Sequence, residues 1–445
     1  MSYAIGDLGQ TIGWGFLSGY VTFYMTNYVG IPIGITGMVI MVSRFMDAFS
    51  DVIVGSAMDR TKSRFGKARP WLIYGALPLT ITFILLFSVP DFSETGKLLW
   101  FIILYNITVT IFYTAVNVPY NALTPLITRD PQSRVRLGAT RMLLGILAST
   151  IVSAITLPVI NGMGGTKGAW STWATIVGIF MGVCIIVCGL LVRERYSGDI
   201  GTEEKEKRSL KDSFKHLLKN KYWIILTLAL VINYALQAAG NGINIYYFKY
   251  ILGNENSVGL AGIALALPML VLLILVPLLA KKVPKGTLAR ISAIGALAGP
   301  LVVLINPESM GIVILRSTLN GLFMAPITAV GFAMIADVSD YGYWKSGVKC
   351  EGLVNSAVGF GTKVGMGLGT GLLGWILSMG GFNADLAVQP DSAIFAMKFC
   401  MIGVPIIMAL LQFTILWFYR LDKEYPIVIA EIQKREKDAA EKTVV

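Results

Sequence analysis

Long apolar runs separated by short polar segments cover most of the chain. Each run is about as long as the 20 or so mainly apolar residues that a helix needs to cross the hydrocarbon core of a membrane. Six runs lie at about 5–27, 33–57, 70–89, 98–123, 137–159 and 173–192, and six more at about 223–251, 259–280, 287–305, 311–335, 353–379 and 394–418. The pattern predicts an all-α membrane protein with twelve transmembrane helices.

A charged segment at 193–222 separates the two groups of six runs. Two six-helix bundles joined by a hydrophilic linker are typical of the major facilitator fold, which holds its substrate near the midplane between the halves. We expect a first bundle at 1–192, a cytoplasmic linker at 193–222, a second bundle at 223–418 and a cytoplasmic tail at 419–445. The only histidine, His216, lies in the linker, so no proton relay through an intramembrane histidine is expected.

The charge of the chain follows its predicted topology. Hydrophobic residues make up 55% of the chain and charged residues only 14%, against about 25% charged in soluble proteins, and the net charge is +11. Lys and Arg crowd the linker and the loops after the even-numbered runs, whereas Lys97, Lys167 and Lys249 are the basic residues of the opposite side. The positive-inside rule then places both termini in the cytoplasm. This explanation of the basic charge gives no reason to expect nucleic acid as a partner.

Two acids in the second run should not lie in a membrane without a role. Asp47 and Asp51 are four residues apart and share one helical face. Carboxylates this close repel each other unless a cation lies between them or one is protonated. The pair therefore predicts a Na⁺ or H⁺ site, with both acids as metal ligands if the ion is Na⁺. The alternative is that Arg44, one turn earlier, simply neutralises Asp47.

The fourth run carries neutral polar residues along one stripe. Thr114, Asn117 and Asn121 follow a helical spacing, and Pro119 between them loosens the helix. Because hard alkali ions prefer oxygen ligands, we expect Thr114 and Asn117 to help bind the cation. Asn117 and Asn121, with Tyr113 at the start of the segment, are also candidate sugar ligands. The alternative is hydrogen bonding between helices.

Buried cations lie in three further runs. Arg141 in run five and Lys363 in run eleven could pair with Asp47 or Asp51, or donate hydrogen bonds to ligand hydroxyls. Snorkelling to the interface is the alternative for both. Arg316 in run ten has no assigned role, and Asp7 near the start of run one is interpreted as interfacial.

The first run has the residue types that bind a sugar ring. Gln10, Thr11 and Trp14 lie within about one and a half turns of one another and combine an amide, a hydroxyl and an indole face. Ordinary helix packing is the alternative for the tryptophan. The chain has no GxxxxGK[ST] phosphate-binding loop, and with its one histidine in a loop it has no good nucleophile and base pair. We therefore expect no ATP site, no cofactor and no enzyme activity.

Several motifs resemble the glycoside-pentoside-hexuronide:cation symporter family, whose best-known type is melibiose permease. They are RFMDAFSD (44–51), SRFGKARPW (63–71), VNVPYNALTP (116–125) and IADVSDYGYWKSGVKCEG (335–352). The resemblance implies that Asp47 and Asp51 hold the coupling cation and that Arg141 and Lys363 lie at the sugar site.

The chain departs from the melibiose type at three of the compared positions. Thr11 and Asn117 stand where that branch has acids, and Asn121 stands where it has a tryptophan. A galactoside is therefore not the expected substrate. A charged sugar such as a glucuronide and a neutral xyloside both remain open.

Together these observations predict a secondary active transporter. It would couple Na⁺ or H⁺ to uptake of a glycoside, oligosaccharide or hexuronide by alternating access, as a monomer in the lipid of a bacterial inner membrane. A uniporter or exporter that is not coupled to a cation is the alternative from the same architecture. A channel or a membrane-embedded enzyme is the alternative from another class.

Overall fold

The computed structural model describes residues 2–128, 130–195, 217–280, 282–346, 351–386 and 388–444, and all regular structure within these ranges is helical. The first helices are α1 Ser2–Tyr24, α2 Ile33–Arg60, α3 Arg69–Leu86, α4 Glu94–Asn106, α5 Thr114–Ile127, α6 Pro131–Gly162 and α7 Lys167–Leu191. The later helices are α8 Lys221–Tyr250, α9 Val258–Leu279, α10 Lys285–Gly295, α11 Ala298–Val303, α12 Met310–Ser346, α13 Glu351–Met379, α14 Asp391–Met401, α15 Gly403–Trp417 and α16 Leu421–Val444.

Each of the predicted apolar runs coincides with helix, and several helices extend past their runs. The fourth run is one continuous helical segment in which a π-helical stretch, Ile107–Tyr113, joins α4 to α5. The ninth run is broken between α10 and α11, and the twelfth between α14 and α15. Most of the linker, 196–216 with His216, lies outside the described residues.

Within the described residues, nine helical segments are long and apolar enough to cross a membrane. Among the helices at the twelve predicted runs, α1, α2 and α13 do not reach this threshold. These helices carry Asp7 and Gln10, the acidic pair Asp47 and Asp51, and Lys363, respectively. The chain is thus an integral membrane protein, and the count of twelve spans stays a prediction because polar side chains dilute the three helices.

The first group of helices, α1–α7, and the last or second group, α8–α15, share an apolar core at one end of the molecule. Phe23 of α1 and Trp170 of α7 belong to the same cluster as Tyr246 of α8 and Leu377 of α13. The rings of Phe23 and Tyr246 lie 5.6 Å apart, and the Tyr246 hydroxyl is 2.8 Å from Thr26 Oγ1. A second core, which includes Trp223 and Leu416, is formed by residues from 217 onward. The end where α1 and α8 finish is therefore closed by direct contact, and we call it the closed end.

Glycines allow α2 and α13 to pack closely near this end. A Cβ added to Gly374 would lie 2.8 Å from the Ile33 carbonyl oxygen and 3.1 Å from Gly37 Cα. Similarly, a Cβ on Gly259 of α9 would lie 2.4 Å from Ala154 Cα of α6. Larger residues would clash with backbone here, so glycine sets the distance between the helices.

An acid after the last helix of each group binds the start of a helix in the same group. Glu194, after α7, accepts backbone N–H groups of residues 67–69 at the start of α3, at 2.8 to 2.9 Å. Asp422, at the start of the tail helix α16, accepts the Gly286 N–H of α10 at 2.8 Å. Burial raises the pKa of Asp422 above the ordinary aspartate value, although the Gly286 N–H and Lys285 oppose this. A carboxylate thus binds the backbone at a helix start in each of the two groups of helices.

Candidate functional site

The carboxylates of α2 meet an ammonium group from α13. Lys363 Nζ lies 3.0 Å from Asp47 Oδ1 and 2.8 Å from Asp51 Oδ1, and it also donates to the Asp47 carbonyl oxygen at 3.3 Å. Asp47 is only 2% exposed, whereas the Asp51 side chain is 36% exposed. Lys363 thus makes the pairing that the sequence analysis proposed for it.

Asp47 has further partners on two sides. Thr114 donates to Asp47 Oδ1 at 2.7 Å, and Arg44 Nη1 lies 3.7 Å from Asp47 Oδ2. Two acids, Asp47 and Asp51, therefore face two cations, Arg44 and Lys363, and the four formal charges cancel. A cation that takes the place between the two carboxylates therefore competes with Lys363.

Trp14 joins the charged cluster to the first helix. The Arg44 guanidinium carbon lies 4.3 Å from the centre of the Trp14 ring. Trp14 also stacks on Tyr113, with 4.6 Å between the ring centroids and 29° between the planes. Aromatic stacking and cation–π contact hold the indole in place. Arg44 thereby connects the sugar candidate Trp14 to the cation candidate Asp47.

A chain of amides links α1 to α5. The Asn121 amide nitrogen donates to Asn117 Oδ1 at 2.9 Å, and that of Asn117 donates to Gln10 Oε1 at 3.1 Å. Gln10 Nε2 is buried and makes no hydrogen bond within the described residues. Asn117 therefore binds Gln10 here, while Thr114 of the same stripe binds Asp47.

The structure does not show the expected pairing of Arg141 with Asp47 or Asp51. Arg141 Nε lies 2.6 Å from Asp7 Oδ1, rather than near Asp47 or Asp51, and its guanidinium stacks 5.0 Å from the Tyr120 ring. Asp7 is 8% exposed, so it is a buried partner of Arg141 and not a freely solvated side chain. The physical reason is that α1 packs on α6, which brings the early turns of both helices together. Both residues lie near the predicted cytoplasmic ends of their runs. This shared depth in the membrane could have predicted the pair from the sequence.

A cavity of about 460 Å³ lies between the first and last groups of helices. Thr11, Trp14 and Arg44 line one wall. Of the predicted sugar ligands, Thr11 and Trp14 belong to this lining, and the other predicted ligands lie outside it.

The opposite wall is polar, and most of its residues were not predicted to bind a ligand. Its polar residues include Asn233, Gln237, Asn241, Asn244, Arg316, Asn320 and Gln412. The four from α8 lie four, four and three residues apart, so they share one helical face. This amide stripe in run seven was readable in the sequence, and it marks the second group of helices as part of the cavity.

Comparisons with known proteins agree on the family. A family model described as MFS/sugar transport protein matches residues 2–423. The isoprimeverose transporter of Lactiplantibacillus pentosus is 32% identical, over 98% of this chain and 91% of that protein. The putative glycoside/cation symporter YagG of Escherichia coli is 28% identical, over 95% of this chain and 91% of that protein.

A solved structure shows the same fold at low sequence identity. The bacterial homologue of the human lysosomal transporter Spinster, described as inward-facing and unoccupied, is 13% identical with a TM-score of 0.71. It aligns over 95% of this chain and 96% of its own. The family match, the relatives and the fold confirm the resemblance found in the sequence and identify a transporter rather than an enzyme. The chain belongs to the sugar transport family of the major facilitator superfamily.

Proposed function

We propose that this protein couples Na⁺ or H⁺ to the uptake of a glycoside, oligosaccharide or hexuronide by alternating access. The observation that carries the proposal is the neutral cluster of Arg44, Asp47, Asp51 and Lys363 beside the central cavity. Two intramembrane acids cost several kcal/mol and persist where an ion pathway needs them. The printed names of relatives, such as glycoside/cation symporter, support the same reading.

The cluster offers a route from ion binding to movement. Asp47 and Asp51 belong to α2, and Lys363 belongs to α13, so the ion pair crosses between the two groups of helices. A cation that displaces Lys363 from the acids removes one attraction across this contact. The balance between states open to either side then depends on whether the cation is bound.

The proposal includes a topology, which is based on the distribution of Lys and Arg. Bundles at 1–192 and 223–418, the linker at 193–222 and the tail at 419–445 form two halves of six helices in a bacterial inner membrane, with both termini cytoplasmic. The closed end then faces the outside, and the state described above is inward-facing. Lipid, sugar and the coupling cation are the partners, the functional unit is a monomer, and no cofactor takes part.

The two ions make different demands on the site. Na⁺ needs several oxygen ligands, and Thr114 with the two carboxylates supplies three side chains that carry them. A proton needs a single carboxylate. Asn117 would join a Na⁺ shell only after leaving Gln10, because the two amides are bonded at 3.1 Å. Na⁺ is favoured slightly by the Thr114 contact, and H⁺ is the alternative.

Accumulation in proteoliposomes tests the proposal. The purified full chain is reconstituted, and uptake of labelled xylosides, glucosides and glucuronides is measured under an inward Na⁺ gradient, an inward H⁺ gradient or no gradient. We expect one gradient to raise the internal sugar above the external concentration. Equal final concentrations under all three conditions would show a uniporter, and sugar-independent ion flux would show a channel. Lys398→Gln, a change far from the cluster, serves as the control.

A further inference from the structure

Arg316 is a buried arginine that pairs with no carboxylate in the described part of the chain. It lies on α12, is 3% exposed and lines the central cavity. Its Nη1 donates to Asn244 Oδ1 at 3.3 Å, and its Nε makes no hydrogen bond within the described residues. No carboxylate among those residues comes within 4 Å of its nitrogens. The guanidinium therefore lines the cavity with no described carboxylate to compensate its charge.

The other intramembrane cations of the site differ in this respect. Arg141 pairs with Asp7, and Arg44 and Lys363 pair with the acids of α2. Their charge is balanced inside the protein, so they exert little net attraction on an anion. Of the four cations that the sequence analysis singled out, Arg316 alone has only neutral side chains as hydrogen-bond partners in the described part of the chain.

An uncompensated buried charge is costly unless a ligand supplies the counter-charge. A guanidinium presents five N–H donors in a planar fork that matches the two oxygens of a carboxylate. Asn320, one turn further along α12, lines the same cavity and offers an amide donor. Asn244 from α8 accepts from Nη1 and thereby orients the fork.

We propose that Arg316, with Asn244 and Asn320, forms an anion subsite that binds the carboxylate of an acidic sugar. The proposal rests on the sugar transport proposed above and narrows its substrate class to sugar acids. Trp14 and Thr11 on the opposite wall contact the ring, while Arg316 takes the acid group. Specificity for the charged substrate then resides in the second group of helices, and cation binding resides in α2.

Matched sugar pairs test this subsite. Binding of p-nitrophenyl β-D-glucuronide and β-D-glucoside, and of the galacturonide and galactoside, is measured on the purified full chain. Within a pair the sugars differ only in a carboxylate or a hydroxymethyl group. We expect an acidic sugar to bind at least about 10-fold more tightly than its neutral partner. Equal affinities within both pairs, or preference for the neutral sugars, would overturn the proposal.

Variants separate recognition from folding. Arg316→Gln should lower affinity for the acidic sugar about 10- to 100-fold and change that for the neutral sugar less than about 3-fold. Arg316→Lys keeps the charge without the fork and should lie between, while Asn320→Ala should show a smaller loss with the same selectivity. Arg435→Gln, at an exposed side chain of the tail helix α16, is the control. Equal losses for both sugars in Arg316→Lys and Asn320→Ala would show that Arg316 is structural.

The two proposals fail in distinguishable ways. Cation-driven accumulation of neutral sugars without preference for acidic ones would overturn the anion subsite and leave symport standing. Selective binding of a sugar acid without cation-driven accumulation would support the subsite and overturn symport. Failure to bind any member of either pair would count against the subsite, whatever the accumulation assay shows for xylosides.

Discussion

Lys363 and Asp51 face each other across the contact between α13 and α2, with 2.8 Å between Nζ and Oδ1. The same ammonium lies 3.0 Å from Asp47 Oδ1. A positive group thus stands between the two acids, where repulsion would otherwise require an external cation or a proton. Lys363 acts as an internal counter-ion, and we infer that the coupling cation competes with it.

Removing this internal counter-ion should strengthen cation binding. In Lys363→Gln the acids lose a positive neighbour within 3 Å, so we expect the Kd for the coupling cation to fall about 10-fold or more. Accumulation of sugar should fall because the cation is released less readily. Calorimetric titration with Na⁺ at several pH values measures the change. Lys398→Gln, whose ion pair with Glu308 is exposed, is the control, and an unchanged Kd in Lys363→Gln would rule out competition.

The two acids should contribute unequally. Asp47 is buried and bound by Thr114, Arg44 and Lys363, whereas Asp51 is partly exposed and bound by Lys363 alone among the described side chains. We expect Asp47→Asn to abolish cation-stimulated uptake and Asp51→Asn to reduce it. Sugar exchange without net flux should survive in both, because neither acid lines the cavity wall that carries the amides. Unchanged cation dependence in both variants would remove the site.

Thr114 can distinguish a metal ion from a proton. Its hydroxyl lies 2.7 Å from Asp47 Oδ1, so it can contribute an oxygen to a Na⁺ shell. Thr114→Val keeps the shape and removes that oxygen, which should weaken Na⁺ binding about 3- to 10-fold. Thr114→Ser, which retains the hydroxyl, is the matched control. If sugar uptake depends on pH and not on Na⁺ in the parent and both variants alike, the coupling ion is the proton.

The pair of Asp7 and Arg141 should behave as one unit. Asp7→Asn leaves the arginine without its carboxylate and should lower the free energy of unfolding by about 1.5 to 3 kcal/mol. The loss is smaller than for a fully buried pair because the Arg141 side chain is 30% exposed. A double-mutant cycle with Arg141→Gln, followed by thermal unfolding in detergent, measures the coupling. Additive effects would show that the two side chains stabilise the protein independently.

The fold was largely predictable because membrane spans depend on composition over whole runs. Each apolar run contains a helix, and the errors concern breaks such as that between α10 and α11. Mean hydropathy over a run does not identify α1, α2 and α13 as spans, because these helices carry the polar residues of the candidate site. Polarity lowers the hydropathy of the helices that carry the candidate site.

Side-chain partners were less predictable. A sequence shows how deep a residue lies in its membrane span, but it does not show which helices are in contact. Lys363 was matched correctly to the acids of α2, since a lysine deep in a run needs a nearby carboxylate. The pairing of Arg141 with Asp7 was not predicted, because Asp7 was interpreted as interfacial, although both lie at similar depth. The amides of α8 were overlooked because no charge drew attention to their spacing, while their common face depends only on helical periodicity.

The closeness of Gly374 to α2 predicts control of the conformational state. A Cβ there would lie 2.8 Å from the Ile33 carbonyl oxygen and 3.1 Å from Gly37 Cα, and backbone atoms cannot rotate away. Gly374→Val should therefore destabilise the closed end by about 1 to 3 kcal/mol, which corresponds to a shift of about 5- to 150-fold between states. The cavity should then open towards the outside.

Labelling of a cavity cysteine measures this shift. Ser149→Cys places a thiol in the cavity lining of a variant whose native cysteines are replaced, and a membrane-impermeant maleimide is applied from outside the cell. Gly374→Val should raise the rate at which the thiol introduced at position 149 is labelled, because the closed end no longer blocks access to the cavity from outside. Gly55→Val, on α2 where an added Cβ meets nothing within 4 Å, should leave the rate unchanged. If both valine variants label at the parent rate, α2 and α13 do not form the outer gate.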